Sequence, residues 1–170
     1  MHDPIAAGRR SALRAVAVQA AAVALVALAF LAEGGRAALA AGRLSEAAAT
    51  LGPVVELLRG SVDPVGWTYR CLLPYVTVLG VQGHAEEATA AAVVLDSHRH
   101  PGWRHLDYEY AIAKAWVSAA QGAISEAVAT VLAAADVAGK QGQLAGEVVC
   151  LQAAVQFGDA SRAQRLAELS

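Results

Sequence analysis

Four copies of one short signature are spread along the chain: Gly42 with Glu46-Ala47, Gly83 with Glu87-Ala88, Gly122 with Glu126-Ala127, and Gly158 with Arg162-Ala163. The glycines stand 41, 39 and 36 residues apart. A period of that size belongs to stacked helical hairpins, in which each unit hides an apolar face against the next. Each copy reads as a helix, a tight turn at Gly and a second helix whose early Ala packs against the first. Gly permits the positive φ that ends the first helix. In three copies the acid four positions later falls in the first turn of the second helix, where the macrodipole favours negative charge. In the fourth, Arg162 replaces the acid and Asp159 follows Gly158 directly. The repeat motif is thus Gly42, Ala47, Gly83, Ala88, Gly122, Ala127, Gly158 and Ala163. The expected fold is all-α, an α-solenoid of about four hairpins.

Composition agrees with that expectation. Alanine fills 42 of 170 positions, and it is both the best helix former and small enough for helices to approach closely. Apolar residues make up 56% and charged ones 16%, which argues against disorder. Alternating polar and apolar runs bounded by turn residues are absent, so a β-rich fold is not expected. The net charge is −2 and the arginines are scattered, apart from Arg9, Arg10 and Arg14. No electrostatic footprint for nucleic acid follows, and direct binding to it is not expected. Cys71 and Cys150 lie 79 residues apart within apolar helical patterns. They read as buried free thiols in a reducing compartment, with a disulfide as the alternative. A cytoplasmic location and no cofactor are expected.

From Ala15 to Ala32 the chain carries eighteen residues without a charge, directly after Arg9, Arg10 and Arg14. Basic residues before an apolar run suit a marginal membrane span or a signal peptide. Half of the run is alanine, far less lipid-seeking than Leu or Phe, and Gln19 interrupts it. The run also merges into the first repeat, where Leu31, Gly35 and Ala38 take packing positions. A buried core helix is therefore the preferred reading, with membrane anchor and cleaved signal as alternatives.

Residues 1–10 read as disordered and residues 11–170 as one repeat domain. The first helix is expected from Ser11, a plausible N-cap, to Ala41, with an interruption at Gly34-Gly35. Its partner spans Leu44 to Arg59, and the Gly60-Ser61-Val62-Asp63-Pro64 stretch forms a loop. The second hairpin pairs Gly66–Val81 with Ala85–His98, and Pro74 predicts a kink or a later start. A loop at 98–102 leads to Arg104–Ala120 and Ile124–Ala138, closing at Gly139. The last pair is Leu144–Gln156 and Ala160–Glu168.

The hairpin pattern resembles the tetratricopeptide repeat, with longer units and a small residue, Gly35, seven before Gly42. A closer likeness lies in Ala113-Lys114-Ala115-Trp116, Ala119-Ala120-Gln121-Gly122 and Ala134-Ala135-Asp136-Val137-Ala138. It continues in Gly142-Gln143, Glu147-Val148-Val149, Phe157-Gly158-Asp159 and Arg165-Leu166-Ala167-Glu168-Leu169. This succession resembles the helical repeat region of large ATP-binding LuxR-family (MalT-type) transcriptional regulators, over about residues 12–170. Such regulators join an ATPase, a helical sensor and a helix-turn-helix. The resemblance implies only the middle module. No G-x-x-x-x-G-K-[ST] loop is present, Gly139-Lys140 being its nearest fragment, and no recognition helix is expected after Ser170. A fragment of a regulator, a degenerate remnant and a free-standing repeat protein all fit.

His98, His100 and His105 crowd one inter-repeat stretch, but no thiol or acid stands beside them, so a solvated loop is expected rather than a metal site. Seven of the nine aromatic residues fall between Trp67 and Trp116. Most read as packing between the second and third hairpins, Trp116 as core. Tyr69 and Tyr108 open first helices beside Arg70 and Glu109, and they are expected on a concave groove together with Arg70, Trp103 and Arg104. Glu86-Glu87 point about 100° apart and read as first-turn acids. Ser45, Ser125 and Ser161 read as capping or first-turn residues. Nothing assembles a nucleophile, a base and an oxyanion donor, so a non-catalytic role is expected. It would be a sensor or interaction module that takes an effector or partner protein on its concave face. The alternatives are a membrane-anchored adaptor and a nonfunctional fragment, and exposed stack ends would favour self-association.

Overall fold

A computed structural model describes residues 4–59 and 66–169; the loop expected at 60–64 and residues 1–3 lie outside the described residues. The described residues form helices and the turns that join them, with no strand. The helices are α1 (Pro4–Ala40), α2 (Leu44–Leu58), α3 (Trp67–Val81), α4 (Ala85–Ser97), α5 (Asp107–Ala120), α6 (Ile124–Lys140), α7 (Leu144–Gln156) and α8 (Ala163–Leu169). A 3-10 helix, Pro101–Leu106, leads into α5.

Each odd-numbered helix packs on the helix after it and on the next odd one, and each of α2, α4 and α6 packs on the helices before and after it. Among the described residues no helix packs along another more than two places further in the chain, and α1 reaches α5 through a side-chain pair, Arg36 with Glu109. Odd helices therefore pack in series, and apolar side chains between them and the even helices make the core. Val54, Val55, Leu72, Val76 and Leu95 fill its first part, and Ala115, Val131 and Ala153 a later one.

The corners at the signature glycines share one hydrogen-bond pattern. At Gly42, the Arg43 amide donates to the Ala38 carbonyl (2.8 Å) and the Gly42 amide to Leu39 (2.9 Å). The same pair of bonds recurs at Gly83, Gly122 and Gly158. These are Schellman caps, which satisfy orphan carbonyls only when one residue enters left-handed space. All four glycines have φ between 72° and 93°. Ala47, Ala88 and Ala127 are wholly buried, as the motif requires. Ala163 is exposed, because α8 starts there rather than at Ala160 and buries no residue.

Several boundaries depart from expectation. α1 is already helical at Pro4, ahead of the expected start at Ser11. Gly34-Gly35 does not interrupt it. A Cβ on Gly35 would stand 2.5 Å from Leu51 Cγ, so this glycine lets α2 approach. α3 runs unbroken from Trp67 through Pro74. α6 continues through Gly139 and closes at Gly142, where a fifth Schellman corner forms. The missing side chain of Gly139 makes room for the Glu147 carboxylate, 2.8 Å from where a Cβ would lie.

The largest correction concerns the apolar run. A buried core helix is not what forms. Val16, Val18, Val23, Leu25, Val26, Phe30 and Leu31 are all exposed, Val18 and Val23 at 69% and Phe30 at 76%. Burial on α1 begins at Leu28, which touches the core, and is complete only at Ala32. The segment Val18–Ala40 is long and apolar enough to cross a membrane, with a mean hydropathy of 1.8. Both cysteines are buried, and burial pushes the Cys150 thiol up to about 12.

Candidate functional site

The odd helices share a groove of about 860 Å³. Each presents a stripe at i, i+4 spacing, the residues that lie one above another on a helix face. α1 contributes Glu33 with Ala37 and Arg36 with Ala40; α3 contributes Leu73, Thr77 and Val81. α5 contributes Tyr108, Ile112 and Trp116, and α7 contributes Val149 with Ala153 and Gln152 with Gln156. The floor is thus apolar, one end charged and the other amide-bearing. Close approach of the floor helices depends on Gly80, where a Cβ would meet the Trp116 backbone at 2.8 Å. Trp116 also sets its ring edge-on to Phe157, 4.6 Å between centroids.

At the charged end, Arg36 Nη1 lies 2.9 Å from Glu109 Oε2 and Nη2 donates to Oε1 at 2.9 Å. This two-pronged pairing is the stronger form of carboxylate recognition. Tyr108 donates its hydroxyl to the same carboxylate at 3.2 Å. Burial first, and then the neighbouring Glu109 charge, push the Tyr108 phenol above its ordinary value. Glu33 sits 3.9 Å from Arg36 and 3.8 Å from Arg70. Arg70 in turn lies over the Trp67 ring, 5.4 Å from its centroid.

The expected groove residues separate. Tyr108 lines the groove. Arg70 reaches only its rim, through Glu33. Tyr69 does not line it: the residue is 1% exposed, its hydroxyl has no hydrogen-bond partner among the described residues, and burial pushes its phenol up to about 12. Trp103 packs half-buried against the core and tilts on His105 at 5.6 Å. Arg104 is exposed on the 3-10 helix. Trp116, expected in the core, stands on the groove wall. The residues overlooked, Ile112, Leu73, Thr77, Val149 and Gln152, had a legible signal in their spacing of four along the first helix of each hairpin.

Elsewhere the polar groups answer one another. His98 Nδ1 lies 2.9 Å from the Val94 carbonyl, and His100 Nδ1 accepts from the Gly102 amide at 3.0 Å. Among the described residues no three His, Cys, Asp or Glu side chains converge on one point. A smaller hollow of about 280 Å³ lies between α5 and α6. Beside it, Tyr110 donates to Asp96 at 2.7 Å and carries the Arg99 guanidinium over its ring at 4.4 Å. Burial, then that bond to Asp96, push Tyr110 up to about 12. Glu147 is forked by Arg165 at 2.7 and 3.1 Å, which holds its carboxyl below the ordinary range. No family model, no curated protein and no solved structure matches the chain.

Proposed function

We propose that this chain is a non-catalytic binding module, a right-handed α-solenoid of tetratricopeptide-like hairpins that takes an effector or a partner segment in the groove of its odd helices. The observation that carries the reading is the set of i, i+4 stripes on α1, α3, α5 and α7, which converge on one apolar floor with a charged end. Two features support the solenoid: five corners with one capping geometry, and packing confined to neighbours one or two places along the chain. A volume of about 860 Å³ suits a sizeable ligand. An apolar helix or extended peptide would lie on Ile112, Trp116 and Val149, with an ionic group meeting Arg36 or Glu109. Occupancy would shift the angles between hairpins and pass to whatever domain adjoins them. The likeness of the later repeats to the sensor region of LuxR-family regulators makes transcriptional control the proposed setting.

Photo-crosslinking in cells tests the reading. Benzoylphenylalanine replacing Gln152, exposed in the groove, is expected to trap a discrete partner, while the same residue replacing Val93 on α4 traps none. Equal labelling from both positions, or none from Gln152, removes the groove as the binding surface.

A further inference from the structure

We infer that residues 15–31 of α1 insert into a lipid bilayer, with the helical stack seated at the membrane surface beside Glu33. Four observations combine. First, the exposed apolar residues surround the helix rather than forming a stripe. At about 100° per residue, Val16, Leu31, Val18 and Val26 point at roughly 0°, 60°, 200° and 280°, and each is exposed. A helix that docks on a protein partner or lies flat on a membrane has one apolar face and one polar face. One that is apolar all round and uncovered needs an apolar solvent.

Second, the length fits. Seventeen residues at 1.5 Å rise give about 25 Å, close to a bilayer's hydrocarbon thickness with slight local thinning. Third, the run is bounded by charge: Arg9, Arg10 and Arg14 precede it and Glu33 follows. Arginines there meet anionic headgroups, and Gln19, one turn inside, lies near enough to reach them. Fourth, the far end meets the groups that favour a lipid–water boundary. Arg70 pairs with Glu33 at 3.8 Å and lies over Trp67. Indole and guanidinium at one level are the usual anchors of a membrane interface.

The test uses the full chain and vesicles of phosphatidylcholine containing one quarter phosphatidylglycerol. The wild type is expected to co-sediment with vesicles and to resist alkaline extraction. V23R/V26R changes two exposed positions outside the core. It is expected to lower the bound fraction at least tenfold while its helical circular dichroism stays that of the wild type in detergent. If that variant loses helix, a second measurement decides. Nitroxide-labelled lipid should quench part of the wild-type tryptophan emission, and W67F should remove the quenched part. The inference is overturned by wild-type chain that remains in the supernatant, whether as monomer or as an α1-linked dimer without lipid. Equal co-sedimentation of V23R/V26R, or emission untouched by the labelled lipid, also overturns it. The groove plays no part in these readouts, so its own test stands separately.

Discussion

Arg36 and Glu109 join α1 to α5 across the groove through two contacts of 2.9 Å, although those two helices share no direct packing. The pair bridges two helices that each pack on α3, at the charged end of the groove. The Glu109 side chain is 16% exposed and that of Arg36 31%, so water screens the attraction only in part. A double-mutant cycle on R36A and E109A should give a coupling of about 1 kcal/mol in urea midpoints. A coupling near zero would mean that the pair does not hold the helices.

The glycines of the stack divide into two kinds with different costs. G80A would drive a methyl into the Trp116 backbone at 2.8 Å, which cannot yield without moving α5. A loss of about 2–3 kcal/mol is expected. G42A meets nothing within 4 Å and has only its φ of 72° against it, so a loss of about 1 kcal/mol is expected. Thermal or urea unfolding ranks the two, and a reversed order would contradict the close α3–α5 approach.

Tyr69 buries a hydroxyl with no partner among the described residues, whereas the Tyr110 hydroxyl donates to Asp96 at 2.7 Å. Y69F should therefore leave stability unchanged or raise it by up to about 1 kcal/mol, while Y110F lowers it by about 1 kcal/mol. Matching losses in both variants would reveal a partner for Tyr69.

Alkaline pH should unfold the chain early. Tyr69 and Tyr110 are pushed from 10.0 to about 12, and Cys150 from 9.0 to about 12. Each is held neutral by the fold, so the unfolded chain releases its proton first. Stability is then whole below about pH 9 and declines as pH rises towards 12. Urea midpoints between pH 8 and 11.5 should fall steadily, and Y69F should flatten the slope. A midpoint constant over that range would contradict the burial of these groups.

What the sequence disclosed followed from local rules. A glycine that must enter left-handed space leaves the same mark wherever a helix ends, so Gly42, Gly83, Gly122 and Gly158 located the corners. Gly139 and Gly142 show the limit: both are glycines near a helix end, and only tertiary approach by Glu147 tells which one packs and which one caps. Tyr69 misled because an aromatic beside Arg70 looks amphipathic, while its burial depends on how α3 turns against α2 and α4. The apolar run misled for the converse reason. Periodicity reports that a segment is apolar, and whether protein covers it depends on elements far away in the chain.

The central claim is that the odd-helix stripes form a binding surface, and calorimetric titration tests it most directly. A helical peptide selected against the folded chain should bind the wild type, and L57E/V93E, altered on even helices, with equal affinity. A37E/V149E, altered at exposed groove positions on α1 and α7, should bind at least tenfold more weakly. Affinity retained by A37E/V149E and lost by L57E/V93E would place recognition on the even helices and contradict the account.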